Sequence, residues 1–171
     1  MVIIRPTQKL RNVLPLTETV DGESDTALGD WYVNRIVVDR QPLLLLISSK
    51  GLLPLVHPAR DVRSLPKRLP TLVALALQRM DVPRAIVAAE VAAMSDAVVA
   101  PTRDRSILGI LVDIGQTVPF HLDAGHWDDS TLPVVEARLA QTPWFAAKSR
   151  SEVIFARDEV PRLLIDRWGA F

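Results

Sequence analysis

Residues 31–56, "WYVNRIVVDRQPLLLLISSKGLLPLV", limit the fold more tightly than any other stretch of the chain. Three apolar runs follow one another, with separators too short to do anything but reverse direction. Residues 31–39 are rich in aromatic and β-branched side chains, which suit a pleated strand. "RQP" makes a turn. Residues 43–48 are apolar without alternation, the pattern of a strand covered on both faces. "SKG" makes a second turn, and residues 52–56 follow. Pro54 cannot donate to a ladder, so the third strand is expected at an edge or beside a bulge. Together the three runs read as an antiparallel meander.

The rest of the chain is placed around that unit. Residues 2–4 form a short β-branched strand ended by Pro6. Thr7 can cap a short helix, "TQKLRNVL", stopped by Pro15. Residues 16–30 are rich in Thr, Glu, Asp and Gly and read as a polar, mobile surface loop. After the meander a helix reaches Met80 from Ser64 or Thr71, with Leu72, Val73, Ala76 and Leu77 on one side. Pro66 and Pro70 leave its first turn open. Pro83 opens a second helix, "PRAIVAAEVAAM". "DAVVAP" is a strand expected to pair with the meander. A helix over about 106–117 follows and stops at Pro119. "FHLDAGHWDD" is a loop, and another helix runs from Ser130 or Thr131 to about Ala140. "QTPWFAAKS" is irregular, and a last helix runs from Asp158 towards Trp168. Strands and helices segregate instead of alternating. The expected fold is therefore α+β, a single domain over residues 1–171. Its small, mainly antiparallel sheet centres on the three-strand meander, with helices packed mostly on one face.

Composition narrows the function classes. At 171 residues the chain can bury about 70% of the surface that its unfolded form exposes. Twenty basic and twenty acidic side chains cancel, so no global field draws it to nucleic acid or an acidic membrane. It has no cysteine, which excludes disulfides, thiolate metal sites and a Cys nucleophile. The start "MVIIRPTQKL" lacks the apolar region of a signal peptide, and no run approaches the about 20 apolar residues of a membrane span. A soluble cytoplasmic protein is expected.

Candidate chemistry gathers in "TRDRSILGILVD", residues 102–113. Its apolar residues run nearly all round the helix after Ser106, which predicts a buried helix. Gly109 inside it suggests a close approach by another element. The helix start offers free N–H groups, with Arg103 and Arg105 beside it, so an anion could seat there. Equally, Asp104 or Ser106 can fill the cap and the arginines can pair with nearby carboxylates. Asp113 is a candidate buried acid, which would need a partner. Arg5 and Lys9, in "IRPTQK", would strengthen an anion site if they met Arg103, Arg105 and Ser106 in space. "ARDVRSLPKR" carries Arg60, Arg63, Lys67 and Arg68 but lacks interleaved aromatics, and reads as a solvated face. His121 and His126 stand among Asp123, Asp128 and Asp129, at a spacing that matches no established metal pattern. His57, beside Pro58, reads as structural. No metal site and no cofactor are expected. The sequence contains no G-x-S-x-G, P-loop, dinucleotide-binding glycine fingerprint or H-E-x-x-H.

"IIRPTQKL", "LGDWYVNRIVVDRQPLLLLIS" and "TRDRSILG…D" occur in an order that resembles a family of small, mostly bacterial proteins known only as a domain of unknown function. Some members are fused to a plasmid-encoded open-reading-frame domain. The resemblance spans about residues 3–148. In the family the central motif runs threonine, any residue, asparagine, arginine, serine, valine, leucine, glycine, serine, methionine, asparagine, aspartate. This chain keeps Thr102, Arg105, Ser106, Leu108, Gly109 and Asp113, and departs at Asp104, Ile110, Leu111 and Val112. Loss of the polar residues at positions 110 and 112 removes groups that a shared active site could have used.

Two functions remain. The first is a non-enzymatic binding or accessory module acting through a protein partner or its own dimer, with Trp127, Trp144, Phe145 and Trp168 as candidate contacts. The second is an enzyme or nucleic-acid-processing factor with a phosphate-binding or other anion pocket around Arg5, Lys9, Arg105 and Asp113.

Overall fold

The computed structural model describes residues 1–17, 20, 22–145 and 153–169. It is an α+β domain built on a mixed five-stranded sheet. The meander forms as three antiparallel strands, β2 (Trp31–Val38), β3 (Gln41–Ser48) and β4 (Pro54–Pro58). Asp39 and Arg40 reverse the first hairpin with positive φ angles of 51° and 65°, the backbone of a tight primed turn. β4 is an edge strand, as its prolines require.

β1 (Val2–Pro6) extends the sheet on the other side and runs parallel to β2, with Ile4 opposite Trp31. The later strand β5 (Ala97–Val99) pairs with β1, also in parallel, and not with the meander. The spatial order is therefore β4-β3-β2-β1-β5. Parallel neighbours need long crossovers. Residues 7–30 supply one, and two helices between β4 and β5 supply the other. At the outer edge, Val99 is met by Thr17, whose N–H donates to its carbonyl while the Thr17 hydroxyl accepts from its N–H.

Alternation along the strands separates two cores. Val33, Leu44, Leu46 and Leu55 face one layer, made by α1 (Leu65–Arg79), α2 (Arg84–Ala93) and a last helix, α5 (Ala156–Trp168). Tyr32, Leu43, Leu45 and Ile47 face the other, covered by α3 (Arg105–Thr117) and α4 (Leu132–Ala140). Three helices thus share one face of the sheet and two cover the second. A two-stranded ribbon joins β6 (Trp144–Phe145) to β7 (Val153–Ile154). The stretch beginning QTPWF therefore carries strand as far as Phe145, and the remainder of it lies outside the described residues.

Several local expectations change. The helix after Thr7 is only one short turn, Gln8–Leu10, and Thr7 uses its hydroxyl to bond Asn34. In the polar segment before β2, Ser24, Thr26 and Ala27 to Asp30 are buried, so its second half belongs to the interior. α3 is amphipathic, not buried all round. Ile107, Ile110, Leu111 and Ile114 face the sheet, while Val112 on the opposite side is 50% exposed. Gly109 lies in open space. The close approach falls instead at Gly115, where a Cβ would stand 3.4 Å from Ile36.

Candidate functional site

The sequence motifs meet at the end of β1. Arg5, only 2% exposed, leaves β1 and donates from Nε to Asp30 Oδ2 at 2.5 Å. Its Nη1 donates to the Pro101 carbonyl, also at 2.5 Å, which ties β1 to the strand-to-helix turn before α3. Asp30 Oδ1 accepts from the Ser24 N–H and hydroxyl. The Asp30 N–H in turn donates to Ser49 Oγ at 2.8 Å. Gly29 holds a φ of 74°, and a Cβ there would collide with that Ser49 oxygen. Glycine is needed at this position for both reasons.

Tyr32 completes the junction. Its hydroxyl accepts from the Asp104 N–H at 3.2 Å. Burial pushes the phenol up from its usual range, partly opposed by that N–H and by the Arg5 charge. The Asp104 side chain caps α3, accepting from the Ser106 N–H at 2.9 Å, the Ser106 hydroxyl at 2.6 Å and the Ile107 N–H. A cleft of about 140 Å³ opens beside these groups, with Asp30, Tyr32, Ser49, Lys50, Arg103 and Asp104 in its wall. Lys50 also pairs with Glu23, another wall residue, at 3.1 Å.

The sequence-derived site residues separate here. Arg103 lines the cleft and is exposed. Arg5 lies buried behind it, with its charge met by Asp30. Ser106 is taken up by the Asp104 cap. Lys9 and Arg105 are exposed and contribute nothing to the cleft wall. Asp113 is exposed as well, which corrects the expectation of a buried acid. The cause is helical phase: positions 109, 112, 113 and 116 share the solvent side of α3, opposite 107, 110, 111 and 114.

The loop with His121 and His126 is organised by hydrogen bonds. Asp39, on the β2–β3 turn, accepts from the Gly125 N–H and from Trp127 Nε1 at 2.7 Å. Those two donors hold the Asp39 carboxyl below its usual range. Asp128 caps the turn before α4. Among the described residues no group of three or more His, Cys, Asp or Glu side chains is arranged to hold a metal ion. Trp127 and Trp144 are core residues, which removes them as surface contacts, whereas Phe145 is exposed. In the basic stretch, Arg60 pairs with Asp129 and Arg68 bonds Ser64 and two backbone carbonyls.

Two buried acids stand out that the sequence reading passed over. Glu90, fully buried on α2, accepts from the Ala27 and Leu28 N–H groups and from Trp168 Nε1. Glu136, on α4, accepts from the Val56 N–H at 2.8 Å and from Arg79 Nη2 at 3.0 Å. Burial pushes the Glu136 carboxyl up, against those two donors. His57 Nε2 lies 3.5 Å from Glu136. Burial, then the Arg79 and Arg68 charges, lower the imidazole to about 4, so at neutral pH the ring is uncharged. A readable signal existed for both acids. Glu90 shares a helical face with Ile86 and Val87, and Glu136 with Leu132 and Leu139.

Fold and side-chain cluster together define an α+β domain in which Arg5, Asp30 and Tyr32 tie the first strand, the meander and the start of α3 to one another. The chain belongs to the family described as a domain of unknown function, DUF6933, whose model matches residues 3–159. Comparison with curated proteins and with solved structures finds no match. Among the described residues no helix is long and apolar enough to cross a membrane.

Proposed function

We propose that the protein is a non-enzymatic binding module that works through protein contact, first of all with a second copy of itself. One observation carries the reading. The Phe120 ring, in the turn after α3, is 87% exposed. Aromatic side chains are enriched in the cores of interfaces, where they act as anchors. Balanced charge, twenty groups of each sign, lets identical surfaces meet without net repulsion. The motif side chains support a non-catalytic role, because Arg5, Asp30, Tyr32 and Ser106 are engaged in holding elements together.

Light scattering over a concentration series tests this. The wild type is expected to rise from the mass of one chain, 18.9 kDa, towards two. Phe120→Ser is expected to remain at one. A wild type that stays at a single chain throughout contradicts the reading.

Arg103 favours a second reading, a small anion in the cleft, since it and Lys50 both reach its wall. Titration with inorganic phosphate separates wild type from Arg103→Ala if the cleft binds anions. Equal affinity removes that reading.

A further inference from the structure

A trough runs between the end of α1 and α4, away from the motif cluster. Its inner part is a notch of about 80 Å³ walled by Leu53 and Pro54 before and in β4, Ala76 and Met80 on the α1 side, and Pro133 and Ala137 on α4. Two polar groups interrupt this apolar lining, Glu136 and Arg79. Outward it continues, past Arg79, Met80, Ala137 and Ala140, into a wider space of about 370 Å³ that reaches Asp81, Gln141 and Arg157. An apolar recess with a few convergent polar groups is the usual make-up of a small-molecule site.

The charges say which end of a ligand goes where. Glu136 is satisfied: its oxygens take the Val56 N–H and one N–H of Arg79. A second carboxylate would be repelled from the inner end. Arg79 spends a single N–H on Glu136 and lines both parts of the trough with a side chain that is 41% exposed. Arg157 stands at the wide end, and among the described residues no hydrogen bond or ion pair engages it. Glu136 and Asp81 together match the two cations in number, so the pull on a ligand comes from guanidinium N–H groups left without an acceptor and not from surplus charge. Guanidinium forks match carboxylates in geometry as well as charge.

We infer that this trough binds a small carboxylate with a short apolar tail, the tail in the notch between α1 and α4 and the carboxylate on Arg79 and Arg157. The notch is smaller than the apolar cavity of about 150 Å³ that holds benzene. A short aliphatic chain or a small ring therefore suits it, and a long acyl chain does not. The inference is independent of self-association, since Phe120 has no part in the trough.

Calorimetric titration of the whole chain with hexanoate tests it, with acetate and hexylammonium as controls. Hexanoate is expected to bind about tenfold more tightly than acetate, because the notch takes its extra methylenes out of water. It is also expected to bind more tightly than hexylammonium. Arg157→Ala, at an exposed position, should weaken hexanoate at least fivefold. Ala137→Phe, also at an exposed position, should fill the notch and weaken it similarly, with both variants melting as the wild type does. The inference is overturned if wild type does not bind hexanoate, if acetate or hexylammonium binds as well, or if either variant binds hexanoate unchanged.

Discussion

A guanidinium taken out of water must have its charge met, and Arg5 meets it with Asp30 at the junction of β1 and β2. Removing one partner of such a pair leaves the other as an isolated buried charge. Asp30→Asn is therefore expected to cost about 3–5 kcal/mol in urea unfolding, with Arg5 still present and unmatched. His57 supplies a pH effect. Between pH 6.5 and about 4 the unfolded chain holds a proton on this ring that the folded chain does not. Acid therefore favours unfolding, and stability rises with pH across that window. The loss on going from pH 7 to 4.5 is about 2–3 kcal/mol, and His57→Gln should lack it when the two proteins are compared by urea titration at both values. Glu136 titrates with the opposite sign, since burial raises its carboxyl and makes the folded chain the better proton holder above 4.5. The chemistry of these residues was legible in the sequence, but their partners were not. "IRPTQK" and "LGDWYVN" announce an arginine and an aspartate, yet nothing local says that they face each other across 25 positions.

Elements divide along the same line. The meander was readable because its pairings are local: short turns bring each run back on the one before. The core face of α3 follows its period of 3.6, and Asp113 was misplaced only because the apolar residues spill beyond that face. β5 is legible as a strand, but its partner β1 lies at the far start of the chain, before the whole meander, a pairing that no local pattern encodes. The packing of α2 against α5 and residues 27–28 depends on Glu90, which stands on α2 and bonds both of the others. Glu90→Ala would leave two backbone N–H groups and an indole N–H without an acceptor. It is expected to cost about 3 kcal/mol in denaturant unfolding. It should also shift the Trp168 fluorescence to the red. Glu90→Gln keeps one acceptor oxygen and should lose less.

At the scale of the whole molecule, a mixed sheet with helices on both faces buries Arg5, Asp30 and Tyr32 as struts between β1, the meander and the start of α3. The chain as a whole carries twenty charges of each sign, and apolar side chains such as Phe120 and Val112 stand exposed on its surface. That distribution is the basis for reading the protein as a binding module whose own copy is its first partner. Amide hydrogen exchange compared between dilute and concentrated solution tests this most directly, because it locates the contact as well as detecting it. Exchange at residues 117–121, around Phe120, is expected to slow as concentration rises while β1 and β2 stay unchanged. Identical exchange at both concentrations would contradict the account.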